Sequence, residues 1–148
     1  MKVCTDACIL GGYVAEKFAT TEPAIQRVLD IGCGTGILSL MMAQKIPATI
    51  DAIEIDESAA SQAMENVHQS KWKDQVNVLH ISLQFFHPEK PYDLIISNPP
   101  FFENDLKSED AMKNKAKHDL SLTIDEIIAF AVKNLSANGY LMLLLPYH

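Results

Sequence analysis

Three glycines at alternate positions, Gly32, Gly34 and Gly36, follow a short apolar run and precede an apolar helical pattern. This order predicts a strand, a glycine turn and a helix. Because glycine has no Cβ, such a turn can adopt positive φ and bring its backbone against a ligand. The spacing is G-x-G-x-G rather than the G-x-G-x-x-G of dinucleotide-binding proteins, and Asp30 stands just before the first glycine. An acid at this place suits a ligand with cationic or hydroxyl groups better than one with a diphosphate.

A second acid, Glu54, ends the next predicted strand, Thr49 to Ile53. An acidic side chain about 20 residues after a glycine turn can accept hydrogen bonds from ribose hydroxyls. The loop and this acid together predict a site for a nucleoside with little negative charge of its own. The alternative is an ordinary α/β domain whose glycine-rich turn binds nothing.

A third motif, Asn98-Pro99-Pro100-Phe101, follows another predicted strand, Tyr92 to Ser97. Two consecutive prolines fix φ and remove two backbone donors, so carbonyl oxygens and the Asn98 side chain remain to bind a ligand. Rigid acceptors beside an aromatic face suit a flat group that carries an NH2. A strand end with a tight turn is the structural alternative, because Asn-Pro often opens turns.

The rest of the chain alternates strand and helix patterns. We expect strands over 28–31, 49–53, 76–81, 92–97 and 140–145, and helices over 5–18, 37–43, 57–69 and 123–135. Asn138-Gly139 should end the last helix. Gly11-Gly12 in the first helix is explained equally well by a close approach to a ligand or another helix and by an irregular amphipathic helix. The alternation predicts an α/β fold with a doubly wound, mostly parallel sheet and ligands at the carboxyl ends of its strands.

Composition is that of one ordinary globular domain: 148 residues, 48% hydrophobic and 21% charged. The sequence contains no apolar run of membrane-spanning length and no signal-peptide pattern, so we expect a cytoplasmic protein without a membrane partner. Three cysteines, Cys4, Cys8 and Cys33, include no C-x-x-C pair, which predicts reduced structural thiols and no metal site.

The formal net charge is -7, which argues against wide non-specific contact with nucleic acid. One local basic cluster, Lys113, Lys115 and Lys117, lies after the fourth strand on the predicted ligand side. It is interpreted equally well as a solvated loop and as a contact for an anionic substrate.

These motifs resemble the class I S-adenosylmethionine-dependent methyltransferases, and within them the amino methyltransferases that carry Asn-Pro-Pro-Phe or Asn-Pro-Pro-Tyr. The sequence is most similar to bacterial enzymes that methylate the exocyclic amine of the adenine next to the anticodon of valine tRNA. Further likeness lies at 2–7, 51–54, 63–72 and 93–102. The resemblance implies a tRNA adenine-N6-methyltransferase. Methylation of a guanine amine in ribosomal RNA or of a protein glutamine amide, and cofactor binding without turnover, remain open.

The resemblance also implies roles for residues. S-adenosylmethionine would lie over the glycine loop, with its ribose on Glu54 and its amino acid end near Asp30. Asn98 and Pro99 would accept the hydrogens of the substrate amine, and Phe101 would stack on the substrate base. The predicted cofactor-binding residues are Thr5, Asp6, Asp30, Gly32, Cys33, Gly34, Gly36, Glu54, Ile55, Ser82 and Asn98, and the predicted catalytic residues are Asn98, Pro99, Pro100 and Phe101. Ser82 departs from the family, in which an acid usually holds the adenine amine.

Family members are longer at both ends, and a helix and an antiparallel hairpin complete their sheet after the fifth strand. The resemblance therefore predicts that residues 1–148 form one methyltransferase domain truncated at its C-terminus, without the hairpin. The strand at 140–145 would then be an unprotected edge, which predicts dimerisation through it.

Overall fold

The computed structural model describes residues 5–99 and 122–145, whose five strands form one parallel sheet with helices on both faces. Pro100, Phe101 and the lysine cluster at 113–117 lie outside the described residues. The elements in chain order are α1 (Thr5–Phe18), β1 (Arg27–Ile31), α2 (Ile37–Ala43), β2 (Thr49–Glu54), α3 (Glu57–His68), β3 (Val76–His80), a 3-10 turn (Leu83–Phe85), β4 (Tyr92–Ser97), α4 (Ile124–Asn134) and β5 (Leu135–Leu143).

The strand order is β3-β2-β1-β4-β5, and every adjacent pair is parallel. The predicted doubly wound α/β fold is therefore confirmed. The order reverses between β1 and β4, where Ile31 pairs with Ser97, and ligands of such sheets bind at the carboxyl edge beside this reversal. The glycine loop after β1 and the Asn98-Pro99 segment after β4 both begin at this edge.

Both faces of the sheet are covered, which explains why β4 reads as a continuous apolar run. Leu94, Ile95 and Ile96 are each 0% exposed although successive side chains point to opposite faces. Helices α1, α2 and α3 pack on one face, and α4 and the 3-10 turn pack on the other. Burial on both sides fixes the ends of β1 and β4, and so the residues that follow them.

Gly11 lies where α1 crosses α2. A Cβ placed on Gly11 would lie 2.7 Å from the Sδ atom of Met41 and 3.2 Å from Cδ2 of Leu38, whereas a Cβ on Gly12 would meet only Cε of Met41 at 3.9 Å. Of the two interpretations of the glycine pair, the structure supports a close approach between two helices, and Gly11 makes it.

The predicted start of β5 is wrong. Helix α4 ends at Asn134, and β5 begins at once with Leu135, which pairs with Tyr92 before the register shifts and Tyr140 pairs with Leu94. A Cβ on Gly139 would lie 2.8 Å from Cδ2 of Leu135 and 3.1 Å from the Tyr92 carbonyl oxygen. Asn138-Gly139 therefore belongs to an irregularity within the strand, where glycine permits the chain to fold closely against β4, and does not end the helix.

No helix in the described ranges is long and apolar enough to cross a membrane. The same ranges, 5–99 and 122–145, contain no group of three or more His, Cys, Asp or Glu side chains that could hold a metal ion. Within the described sheet, β5 is an edge strand. Dimerisation through it stays a prediction.

Candidate functional site

The glycine loop takes the left-handed backbone conformations that its sequence predicts. The φ angles of Gly32, Gly34 and Gly36 are 71°, 56° and 83°. The backbone N–H groups of Gly32 and Cys33 both donate to the Ile53 carbonyl oxygen, at 2.9 and 3.0 Å, which ties the loop to the end of β2. A Cβ on Gly32 would meet no atom within 4 Å, so the loop borders open space in which a ligand can approach the backbone.

Both carboxylate oxygens of Glu54 accept backbone hydrogen bonds, and one of these bonds holds the glycine loop. Oε2 accepts a hydrogen bond from the Gly34 N–H at 2.8 Å, and Oε1 accepts one from the Asp56 N–H at 2.9 Å. A carboxylate oxygen can accept more than one hydrogen bond, so the half-buried side chain keeps capacity for ligand hydroxyls. Sequence reasoning identified the acid but missed that it also fixes the glycine turn.

Ile55 follows Glu54 with its side chain 45% exposed at the carboxyl edge. Its carbonyl oxygen lies 3.0 Å from Nε2 of His80, so His80 carries a proton on Nε2 when it donates this bond. The next residue, Asp56, caps α3 by accepting from the Ala59 N–H at 2.8 Å. Main-chain and capping hydrogen bonds therefore fix the segment that contains Ile55. The sequence did not predict that His80 helps to hold this segment.

Asp30 is completely buried beneath the loop, at 0% exposure. Oδ2 accepts a hydrogen bond of 2.7 Å from Oγ of Ser39, a residue of α2 that is also 0% exposed. Oδ1 is buried and has no hydrogen-bond partner among the described residues. Burial raises the pKa of Asp30 to about 7, the hydrogen bonds from Ser39 oppose the rise, and the negative charge of Glu54 adds to it.

Asn98 reaches the same edge from β4. The preceding residue, Ser97, is 0% exposed and its hydroxyl donates to the Ile31 carbonyl oxygen at 2.8 Å, which joins the ends of β4 and β1. Since Ile31 and Ser97 are register partners, Asn98 and Gly32 follow at corresponding positions. Asn98 is half-buried and Pro99 is buried.

Four further predicted residues differ in their burial. The Cys33 side chain is 4% exposed and belongs to the core, where burial raises the pKa of its thiol, so Cys33 can meet a ligand only through its backbone. Ser82 is half-buried, and its Oγ atom has no hydrogen-bond partner among the described residues. Thr5 and Asp6 are exposed in the first turn of α1.

A separate cavity of about 430 Å³ lies between the 3-10 turn and α4. Leu83, Phe86 and Phe130 contribute to its lining, and Gln84 and Glu126 join the two walls through a 2.8 Å hydrogen bond. None of the predicted site residues that the structure describes lines it. The chemistry-bearing residues gather at the carboxyl edge instead.

Known proteins resemble the chain in sequence and in fold. A tRNA1(Val) (adenine(37)-N6)-methyltransferase of Dyadobacter fermentans is 48% identical over 147 residues, which are 99% of this chain and 59% of that protein. A SAM-dependent methyltransferase from Agrobacterium tumefaciens superposes with a TM-score of 0.70 at 18% identity, over 95% of this chain and 45% of the other. A methyltransferase from Thiobacillus denitrificans, solved with S-adenosyl-L-homocysteine, gives a TM-score of 0.66 at 16% identity, over 95% and 48%.

The chain thus spans about three fifths of the length of the curated relatives, 59% of the one from Dyadobacter and 60% of one from Cytophaga hutchinsonii. At such low identities the two solved structures show the fold alone. The family model of the methyltransferase small domain matches residues 13–148, which include the glycine loop, Glu54 and Asn98. The chain belongs to the methyltransferase small domain family.

Proposed function

We propose that the protein is an S-adenosylmethionine-dependent N-methyltransferase that acts on adenine N6 of a tRNA. The observation that carries the proposal is the pairing of Ile31 with Ser97, which sets Asn98 and Pro99 beside the glycine loop that Glu54 holds. Relatives with this activity in their names, at 48% and 43% identity over nearly the whole chain, support the choice of acceptor.

The described residues fit such a cofactor. The spare acceptor capacity of Glu54 suits ribose hydroxyls, and the unpartnered Oδ1 of Asp30 suits a cationic amino group. Gly32 offers open space beside its backbone, and the unpartnered hydroxyl of Ser82 can bond the nucleobase. When bound, the cofactor supplies a methyl group activated by a sulfonium. The protein's part is to orient it.

Asn98 and Pro99 would activate the acceptor by hydrogen bonding. The lone pair of an adenine amine is delocalised into the ring, which makes the nitrogen a weak nucleophile. If the Asn98 side-chain oxygen and the Pro99 carbonyl oxygen accept its two hydrogens, the nitrogen is drawn towards tetrahedral geometry and its lone pair is aimed in line with the methyl carbon. This needs no general base. The stacking role of Phe101 rests on the sequence alone.

Two measurements on the full chain test the proposal. Isothermal titration calorimetry with S-adenosylhomocysteine comes first, and transfer of labelled methyl groups to an unmodified valine tRNA transcript follows. Digestion of the RNA to nucleosides should then yield N6-methyladenosine, with Asn98→Ala as the inactive control. Cofactor binding without methyl transfer to the transcript, to ribosomal RNA or to glutamine peptides would show a binding module and overturn the proposal. Methylguanosine or methylglutamine would overturn the choice of acceptor.

A further inference from the structure

The hydrogen bond between Ser39 and Asp30 links α2 to the acid that precedes the glycine loop, and both side chains are fully buried. We propose that Ser39 is a positioning residue: it binds one oxygen of the Asp30 carboxylate and leaves the other as the acceptor for the cationic amino group of the cofactor. This inference rests on the proposed function and extends it to a residue that does not itself touch the ligand.

The geometry is that of a carboxylate fixed on one side only. Ser39 and Asp30 are both 0% exposed, and the 2.7 Å bond from Oγ to Oδ2 joins α2 to β1. Oδ1, equally buried, has no partner among the described residues. A buried carboxylate oxygen without a donor is costly, and a ligand donor at the adjacent loop would remove that cost. Because Ser39 occupies Oδ2, Oδ1 is the oxygen left for the ligand.

The groups around Asp30 determine whether its carboxyl is ionised, and a cationic group binds best to the ionised form. The groups that act on Asp30 are the Ser39 hydroxyl and backbone amide, which favour the carboxylate, and Glu54, whose negative charge disfavours it. The thiol of Cys33, buried in the same loop, stays neutral because burial raises its pKa. The salt bridge found within the described ranges joins Arg27 to Asp51, not to Asp30. Within residues 5–99 and 122–145 no cation pairs with Asp30, so a cationic group on the ligand would favour its ionised form.

A pH signature follows from this arrangement. In the free protein the pKa of Asp30 is about 7, so near neutrality part of the population holds a proton that must leave before a cationic group can bind. Without the Ser39 hydroxyl the carboxyl keeps its proton to higher pH, because a hydrogen bond that favours the ionised form is lost. Ligand affinity should then fall near neutral pH and recover in alkaline solution.

The test uses S-adenosylhomocysteine as the probe, since it retains the amino acid end. Its affinity is measured by calorimetry from about pH 6 to about pH 9, in buffers of different ionisation enthalpy, for wild type, Ser39→Ala, Ser39→Thr and Ser97→Ala. Ser97 is the matched control, a serine that is also 0% exposed but donates to the Ile31 carbonyl oxygen at 2.8 Å rather than to a carboxylate. Circular dichroism establishes that each variant is folded.

We expect Ser39→Ala to bind about tenfold more weakly at neutral pH, to approach wild-type affinity at alkaline pH and to release more protons on binding. Ser39→Thr, which keeps the hydroxyl, should restore the wild-type pH profile, and Ser97→Ala should run parallel to wild type. The proposal is overturned if Ser39→Ala loses the same factor at every pH, or if it matches Ser97→Ala. Absence of binding by the wild type at any pH would instead overturn the proposed function.

Discussion

Replacing Asp30 by asparagine should stabilise the free protein, and increasingly so as pH rises. The folded-state pKa of Asp30, about 7, lies above its ordinary value of 3.8 because the side chain is buried. The folded protein therefore binds one more proton than the unfolded chain between these two values, so its stability falls as pH rises towards 7. The stabilisation that the protonated carboxyl gives to the folded state is fully present below about pH 4 and is lost once the pH has passed the folded-state pKa. Asparagine has nearly the same shape and does not titrate in this range.

The size of the effect follows from the two pKa values, 3.8 and about 7. At about 1.4 kcal/mol per pKa unit, the carboxyl loses on the order of 4 kcal/mol of stabilisation between acid and mildly alkaline pH. This is a large fraction of the roughly 5–15 kcal/mol by which domains are stable. The free energy of unfolding of Asp30→Asn should therefore exceed that of the wild type by on the order of several kcal/mol at about pH 8, and should differ little at about pH 4.

Urea denaturation, followed by the fluorescence of Trp72, the single tryptophan, measures the difference at each pH. Asp93→Asn is the control, because that carboxylate accepts bonds from the Gln26 and Arg27 N–H groups and from the Ser136 hydroxyl, at 2.9, 3.0 and 3.0 Å. An amide cannot accept all three, so this variant should lose about 1–3 kcal/mol of stability. Equal differences between Asp30→Asn and wild type at both ends of the pH range would refute the reasoning.

Other substitutions test the remaining parts of the site and the fold. Glu54→Gln should weaken S-adenosylhomocysteine binding by about 1–3 kcal/mol in calorimetry, because an amide replaces a charged acceptor; unchanged affinity would contradict the ribose role. Asn98→Ala should abolish methyl transfer in a radiolabel assay while cofactor affinity stays nearly intact, and equal losses of both would contradict a contact to the acceptor amine. Gly12→Ala should stabilise the protein by roughly 1 kcal/mol in urea denaturation, because alanine favours the helix. Gly11→Ala should be less stable than Gly12→Ala by about 1–3 kcal/mol, because its Cβ would meet Met41 at 2.7 Å. The opposite order of stability would refute this account of the contact between α1 and α2.

Much of the fold could be predicted because its signals are local. The periodicity of apolar residues gave the bounds 37–43 for α2 and 92–97 for β4 that the structure also has. The three alternate glycines take positive φ as predicted, since no other residue adopts that conformation at so little cost. Thr123 and Glu126 form the predicted capping box through contacts only three residues apart.

Features that depend on contacts between distant residues could not be predicted. The early start of β5 is fixed by the pairing of Leu135 with Tyr92, and an Asn-Gly pair that usually ends a helix gives no sign of it. Ser39 reads as one polar residue in an apolar helical run, and its role becomes visible only when α2 packs against β1 and brings its hydroxyl to Asp30. The attachment of Glu54 to the Gly34 N–H likewise depends on how two strands pair.

The cost of burying Asp30 also bears on which ligand the loop takes. The Asp30 carboxyl lies at 0% exposure with one oxygen that has no partner in the described part of the chain, and a neutral asparagine in its place would avoid the penalty of a buried charge. A ligand with a diphosphate at this position would add negative charge beside Asp30 and Glu54, and so increase the penalty. A ligand with a cationic group makes this electrostatic energy favourable instead, because the buried carboxylate then gains a charge-assisted hydrogen bond. Under the proposed function, the burial of Asp30 therefore favours a nucleoside that carries a cationic amino group over a dinucleotide.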